Sequence, residues 1–261
     1  LKDFAKKLND ADISKQLKSG VSYASAFSQS GMYQSNNILG AEYLSAINQL
    51  GADIISVTIK REGGYNDLSG TGGFMSASAI RNMLCGGNYG SVSSSVPDYV
   101  FNDLTGFKHC EDALFDMVIY KILSLGAQKI EDYAYVSEGL HNRIYAAALK
   151  SRSMQSLREN IITKRYPAAK INRILLALLL DITKEKARAA KKSPPYARVL
   201  AVKSGSENML SEIKGIKLIK RAEDYKTINS GVIDTDILAT LIYSKIKNTD
   251  LNDISAGLNI I

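Results

Sequence analysis

The chain has 261 residues, 45% of them hydrophobic and 23% charged, enough apolar material to bury one large core or two modest ones and too much for disorder to dominate. Thirty-three Lys and Arg against 26 Asp and Glu give a formal charge of +7, a bias toward anionic partners. The longest apolar run, Ile174 to Leu180, has seven residues, far short of the roughly 20 that cross a bilayer, so no membrane partner is expected.

Leu1 opens inside a helical pattern that continues to Leu17, and a piece of protein upstream is expected to have been left out. The first residues do not show the basic, apolar, small-residue pattern of a secretory leader, and Cys85 and Cys110 form no CxxC pair, so a reducing cytoplasm is expected. A second helical segment is predicted from about Val21 to Phe27. A third starts at the N-cap types Ser35 and Asn36, carries Ile38, Leu39, Tyr43, Leu44, Ile47 and Leu50 at helical spacing, and stops at Gly51. Ala52 to Lys60 then switches to alternating β-branched residues and predicts a strand. Five glycines between Arg61 and Met75 predict a flexible loop, and Ser76 is placed to cap a helix that Gly86 and Gly87 close.

Ser91 to Ser95, followed by Pro97, reads as a linker. Beyond it, helices are predicted over Asp112 to Leu125, Glu138 to Lys150, Met154 to Thr163 and Pro167 to Thr183, the last apolar on nearly every side from Ile171 to Leu180 and so central to a bundle. A small α/β unit closes the chain, with strands Ala197 to Val202 and Ile216 to Ile219 and helices Glu207 to Ile213 and Asp234 to Ile246. The expected fold class is α/β in three parts: the later half of a Rossmann-like domain over 1–90, a mainly helical domain over 91–195, and a small α/β unit over 196–261.

The positive charge is concentrated. Residues 150 to 192 carry twelve basic side chains against three acidic, a local +9 that leaves −2 for the rest of the chain. Solvated lysines on helices would explain much of such a run. Lys164, Arg165, Lys170 and Arg173, however, gather at the start of the Pro167 helix, where free backbone N–H groups add to the same field. With Tyr166 among them as a stacking surface, they are the candidate residues for holding an RNA backbone. In the first part, a strand, a glycine loop and a Ser-capped helix form an arrangement that can cradle phosphate, with Ser78 and Arg81 sharing a helix face and Arg61 offering a second cation. Neither GxxxxGK[ST] nor GxGxxG is present.

Ser35-Asn36-Asn37-Ile38-Leu39-Gly40, Thr58-Ile59-Lys60-Arg61 and Ser76-Ala77-Ser78-Ala79-Ile80-Arg81 resemble, in order, signatures of the bacterial tRNA(Met) cytidine acetate ligase family, which is nucleotidyltransferase-like. Val136-Ser137-Glu138-Gly139-Leu140, Thr163-Lys164-Arg165-Tyr166 and Pro195-Tyr196-Ala197-Arg198-Val199-Leu200 extend the resemblance over essentially the whole chain. It implies an ATP-dependent ligase that makes acetyl-adenylate from ATP and acetate, with Mg2+ accompanying the nucleotide, and passes the acetyl group to the wobble cytidine of elongator tRNA(Met). It also implies ATP contacts at Asn36 or Asn37, at Lys60 and Arg61, and along Ser76, Ser78 and Arg81. The family's HxGH motif is absent, since the two histidines, His109 and His141, lie 32 positions apart. No catalytic residue is therefore assigned, and these residues alone are expected to be inactive. His109 and His141 read as surface or packing residues, and no metal site is expected. Two other functions stay open: a non-catalytic RNA-binding module, and a nucleotidyltransferase acting on a small metabolite.

Overall fold

The structure, a computed structural model, describes residues 35–59, 75–104, 111–228, 230–248 and 259–260. The expected helices over 1–17 and 21–27, the glycine-rich segment, Lys60, Arg61 and His109 lie outside the described residues. The chain divides into two compact units, Leu1–His109 and Cys110–Ile261.

In the first unit, helix α1 (Ser35–Leu50) ends as expected at Gly51, whose φ of +59° is the left-handed conformation that glycine adopts without steric cost. Residues 52–59 form no strand. Their β-branched side chains are exposed, Ile55 at 88% and Ile59 at 93%, and no strand pairs with them among the described residues. β propensity is a preference for a half-buried pleated surface, so without a neighbouring strand the same residues stay irregular. Helix α2 (Ala77–Cys85) begins where Ser76 caps it, its hydroxyl accepting the Ala79 N–H at 3.0 Å, and Gly86 closes it. The serine-rich stretch is not a linker. It folds into α3 (Tyr89–Ser93), anchored by the buried Val92, with α4 (Asp98–Leu104) following Pro97. The Ser93, Ser94 and Ser95 hydroxyls donate to carbonyls three or four residues back, and these local bonds allow a serine run to stay compact.

The second unit is built on four helices: α5 (Glu111–Ile130), α6 (Leu140–Lys150), α7 (Met154–Ile161) and α8 (Ala168–Leu179). α5 packs on α6 and α8, and α7 touches all three. α5 breaks at Gly126 (φ 71°, ψ 162°), one residue after the predicted end at Leu125. α7 starts with a reciprocal cap in which Ser153 and Ser156 bond each other's backbone. The core holds Val118, Ile122, Ile144, Leu157, Ile171, Ile174 and Leu178. α8 buries one broad face, whereas Leu176 is 46% exposed, so it is less enclosed than its run of leucines suggests.

Beyond α8, Asp181 turns the chain in the left-handed region (φ 56°) into α9 (Lys184–Ala190). Ala134 N–H donates to Ile182 and Lys184 N–H to Asp132, which ties this turn to the loop before α6. The single strand predicted over Ala197 to Val202 is divided into β1 (Tyr196–Arg198) and β2 (Ala201–Val202). After α10 (Met209–Glu212), β1 pairs in parallel with β3 (Lys217–Ile219) in the register Tyr196↔Lys217, and β2 pairs in parallel with β4 (Asn259–Ile260). The division arises because the two halves serve different partners. A 3-10 helix (Ala222–Thr227) and α11 (Ile233–Lys247) complete this part around Ile219, Ile228 and Ile233. Among the described residues no helix is long and apolar enough to cross a membrane.

Candidate functional site

The basic cluster is assembled by a tight turn. Thr163 and Tyr166 exchange both backbone hydrogen bonds at 3.1 Å, and the Thr163 hydroxyl also accepts the Tyr166 N–H at 3.0 Å. Lys164 and Arg165 are thereby held at the tip of the turn, both exposed. Pro167 follows as the N-cap of α8, one position before the first-turn place expected for it. Arg143 donates from Nε to the Ile161 carbonyl at 2.9 Å, so the end of α7 that carries the turn is fixed to α6.

Arg165 and Tyr166 come together on Glu138, a residue with no role expected from the sequence, and Lys170 joins them through the Tyr166 ring. One oxygen of Glu138 accepts the Tyr166 hydroxyl at 2.9 Å and lies 2.5 Å from the Arg165 guanidinium. Burial and this bond raise the Tyr166 phenol above its ordinary range, so it stays a neutral donor. Lys170 Nζ lies 4.7 Å from the centre of the Tyr166 ring, within cation–π range. Glu138 itself stands at φ 55°, next to Gly139 at φ 74°, in the turn before α6. The signal for it was its place in the Val136 to Leu140 motif; charge counting passes over one acid among so many bases.

Lys164 and Arg173 contribute differently. Both are exposed, and neither pairs with a carboxylate among the described residues. Arg173 stands three residues after Lys170 on α8, so the two share a face of that helix. Arg158, also on this side of the bundle, is already used: it pairs with Glu111 at 2.7 Å and bonds Asn172 at 2.9 Å. The result is a face on which some cations are held in place by partners and others project freely, a surface suited to a polyanion.

On the first unit, Ser76 spends its hydroxyl on capping α2. Ser78 is half-buried and Arg81 exposed, one turn apart on α2, and Arg81 forms no ion pair among the described residues. Asn36 and Asn37 lie in the first turn of α1. His141 is buried on α6, with Nδ1 lacking a hydrogen-bond partner. Among the described residues no group of three or more His, Cys, Asp or Glu side chains comes together.

A family profile described as HIGH Nucleotidyl Transferase matches residues 2–256. The tRNA(Met) cytidine acetate ligase of Thermoanaerobacter sp. (strain X514) is 31% identical over 276 residues, covering 95% of this chain and 67% of that protein. The chain belongs to this family of HIGH nucleotidyl transferases. The ligase of Acetivibrio thermocellus is 33% identical over 229 residues, covering 80% of this chain, and that of Clostridium acetobutylicum is 35% identical over 224 residues, covering 82%. The chain spans 55% and 54% of the length of these two relatives.

Among solved structures, Thermotoga maritima TmcAL in its apo form superposes with a TM-score of 0.76 at 24% identity, over 99% of this chain and 71% of that one. The same protein bound with alpha-thio ATP gives 0.76 at 23%, covering 99% and 73%. These likenesses establish the fold, a mixed α/β architecture with a high helical content.

Proposed function

We propose that this protein is an ATP-dependent ligase that acetylates the wobble cytidine of elongator tRNA(Met), using acetate and ATP. Acetate oxygen would attack the α-phosphorus of ATP and release pyrophosphate; the cytidine N4 amine would then attack the acetyl carbonyl and release AMP. Neither step needs a covalent enzyme intermediate, so positioning and charge neutralisation would carry the rate. The observation that carries this reading is the identity to tRNA(Met) cytidine acetate ligases across 95% of the chain. That a protein of the same fold binds an ATP analogue supports the nucleotide half.

Within this reading the ATP-binding residues are Asn36 or Asn37, with Lys60, Arg61, Ser76, Ser78 and Arg81. Ser76 acts by setting the start of α2, and Ser78 and Arg81 offer a hydroxyl and a permanent cation to one phosphate. Mg2+ enters as the counter-ion of the ATP phosphates, and no described residue is assigned to hold it. Lys164, Arg165, Tyr166, Lys170 and Arg173 take the tRNA backbone, the free cations Lys164 and Arg173 contacting phosphates directly. The proposed parts are nucleotide binding over 1–90, RNA binding over 91–195 and the α/β unit over 196–261, in a cytoplasmic protein.

The 261 residues contain no HxGH pair, and half of the expected charge stabilisation at phosphorus is thus missing from them. We therefore expect ATP and tRNA binding from these residues without full acetylation. The same absence favours, as a second reading, a non-catalytic RNA-binding module. Isotope-labelled ATP separates the two: binding that is lost on Arg61→Ala supports the ligase, and no ATP binding at all supports the module.

A further inference from the structure

Strand β1 turns Tyr196 and Arg198 to one side, because residues two apart in a strand share a face, and leaves Ala197 between them exposed. Asp236 and Thr240, four apart on α11, share a face of that helix. Together with Tyr225 from the 3-10 helix and the buried Ile219, these residues line a cleft of about 310 Å3.

Some polar groups of the cleft are paired with one another. Asp236 accepts the Tyr196 hydroxyl, and the Thr240 hydroxyl donates to the Asp236 carbonyl at 3.0 Å. Burial and the Asp236 carboxylate push the Tyr196 phenol up, so it remains a protonated donor. The Arg198 guanidinium forms no ion pair among the described residues, although Asp236 lines the same cleft. Residues 195–248 carry nine basic side chains against six acidic, so the surroundings also favour an anion.

Two phenol rings and one uncommitted guanidinium in this volume fit a planar base with a phosphate attached. The volume stands at the lower end of the roughly 300–1,000 Å3 of ligand clefts, sized for one nucleotide and too small for a duplex. A purely apolar ligand would leave the guanidinium half-buried without a counter-charge. We propose that this cleft receives a single unstacked nucleotide of the RNA, its base against the Tyr196 and Tyr225 rings and its phosphate on Arg198. The identity of the ligand as RNA rests on the function proposed above; the nucleotide chemistry of the cleft does not.

The test uses the full chain as wild type, Arg198→Ala, Arg198→Lys and a Lys164→Ala/Arg173→Ala double variant, each checked for unchanged thermal unfolding. Binding of a tRNA(Met) transcript is measured by filter retention across a salt series, and binding of free AMP and CMP by amide shifts in NMR. The expected result is about a tenfold loss of tRNA affinity for Arg198→Ala, partly restored by Arg198→Lys, with AMP and CMP binding only weakly and shifting residues around Tyr196 and Thr240. Wild-type tRNA binding by a folded Arg198→Ala protein overturns the proposal. If the double variant alone is weakened, only the cleft assignment falls; if neither variant is weakened, the RNA reading falls with it. Tight AMP or CMP binding that depends on Arg198, with tRNA binding untouched, makes the cleft a free-nucleotide site and overturns its assignment to RNA.

Discussion

Arg165 is tied to Glu138 by an ion pair of 2.5 Å in which both side chains are more than half exposed. Such pairs contribute about 0–1 kcal/mol, because solvent screens the attraction and both chains lose freedom. The pair therefore orders Arg165 at little energetic cost, and a phosphate can replace Glu138 as its partner. We expect Glu138→Gln to bind tRNA about threefold more tightly at roughly 0.1 M salt, with the difference fading as salt rises. Weaker binding by this variant at every salt concentration would show that Glu138 presents Arg165 instead of competing for it.

Asp181 collects three donors: the Tyr133 hydroxyl at 2.6 Å, Lys121 at 3.1 Å and Lys186 at 3.0 Å. The Tyr133 bond first, then Lys186, hold its carboxyl well below the usual carboxylate range. A depressed folded value means stabilisation that is fully present above the ordinary Asp pKa of about 4 and is lost as pH falls toward the folded value. Asn tolerates the same left-handed backbone, so Asp181→Asn removes charge without adding strain. With the carboxylate 44% exposed, we expect a loss of about 1 kcal/mol at pH 7. In denaturant titrations the gap to wild type should narrow below about pH 4; a gap that widens there contradicts the assignment.

Gly126 breaks α5 at φ 71° and ψ 162°, a region that side-chain-bearing residues rarely occupy. Outside its chain neighbours and the adjacent helical backbone, no atom lies within 4 Å of where a Cβ would stand, so the cost of Gly126→Ala is chiefly conformational. Urea unfolding should report a destabilisation of about 1–3 kcal/mol. A neutral substitution would mean that the helix continues through this point in solution.

The leucines of the bundle divide sharply by burial. Leu157 on α7 is fully buried and Leu176 on α8 is 46% exposed. Leu157→Ala is expected to cost about 2–5 kcal/mol through lost burial and the cavity left behind, and Leu176→Ala under about 1 kcal/mol. Equal midpoint shifts for the two variants would refute the packing described.

The helices of the second unit are legible because their burial repeats at the helical period, although the expected end of α5 at Leu125 coincides with its break at Gly126 and not with its end at Ile130. The cap at Ser76 and the stop at Gly51 were equally readable, since both act through their own local chemistry. What could not be read is whatever depends on a distant neighbour. Residues 52–59 have strand composition but no strand pairs with them among the described residues, and the Ala197 to Val202 segment divides because β1 and β2 pair with different strands. The serine composition of the run at Ser91 conceals the one buried valine, Val92, on which it folds. At the basic face, the residue types were visible in the sequence while the organising acid, Glu138, was not, since its partners lie 27 and 28 positions away.

Lys164 and Arg173 are exposed cations of the basic face that form no ion pair among the described residues. The most direct measurement is the salt dependence of tRNA(Met) binding by wild type and by Lys164→Ala and Arg173→Ala. Each substitution should weaken binding and lower the slope of log affinity against log salt by about one, the release of one fewer counter-ion. Unchanged affinity and slope in both variants, with the fold intact, would contradict the assignment of this face to RNA.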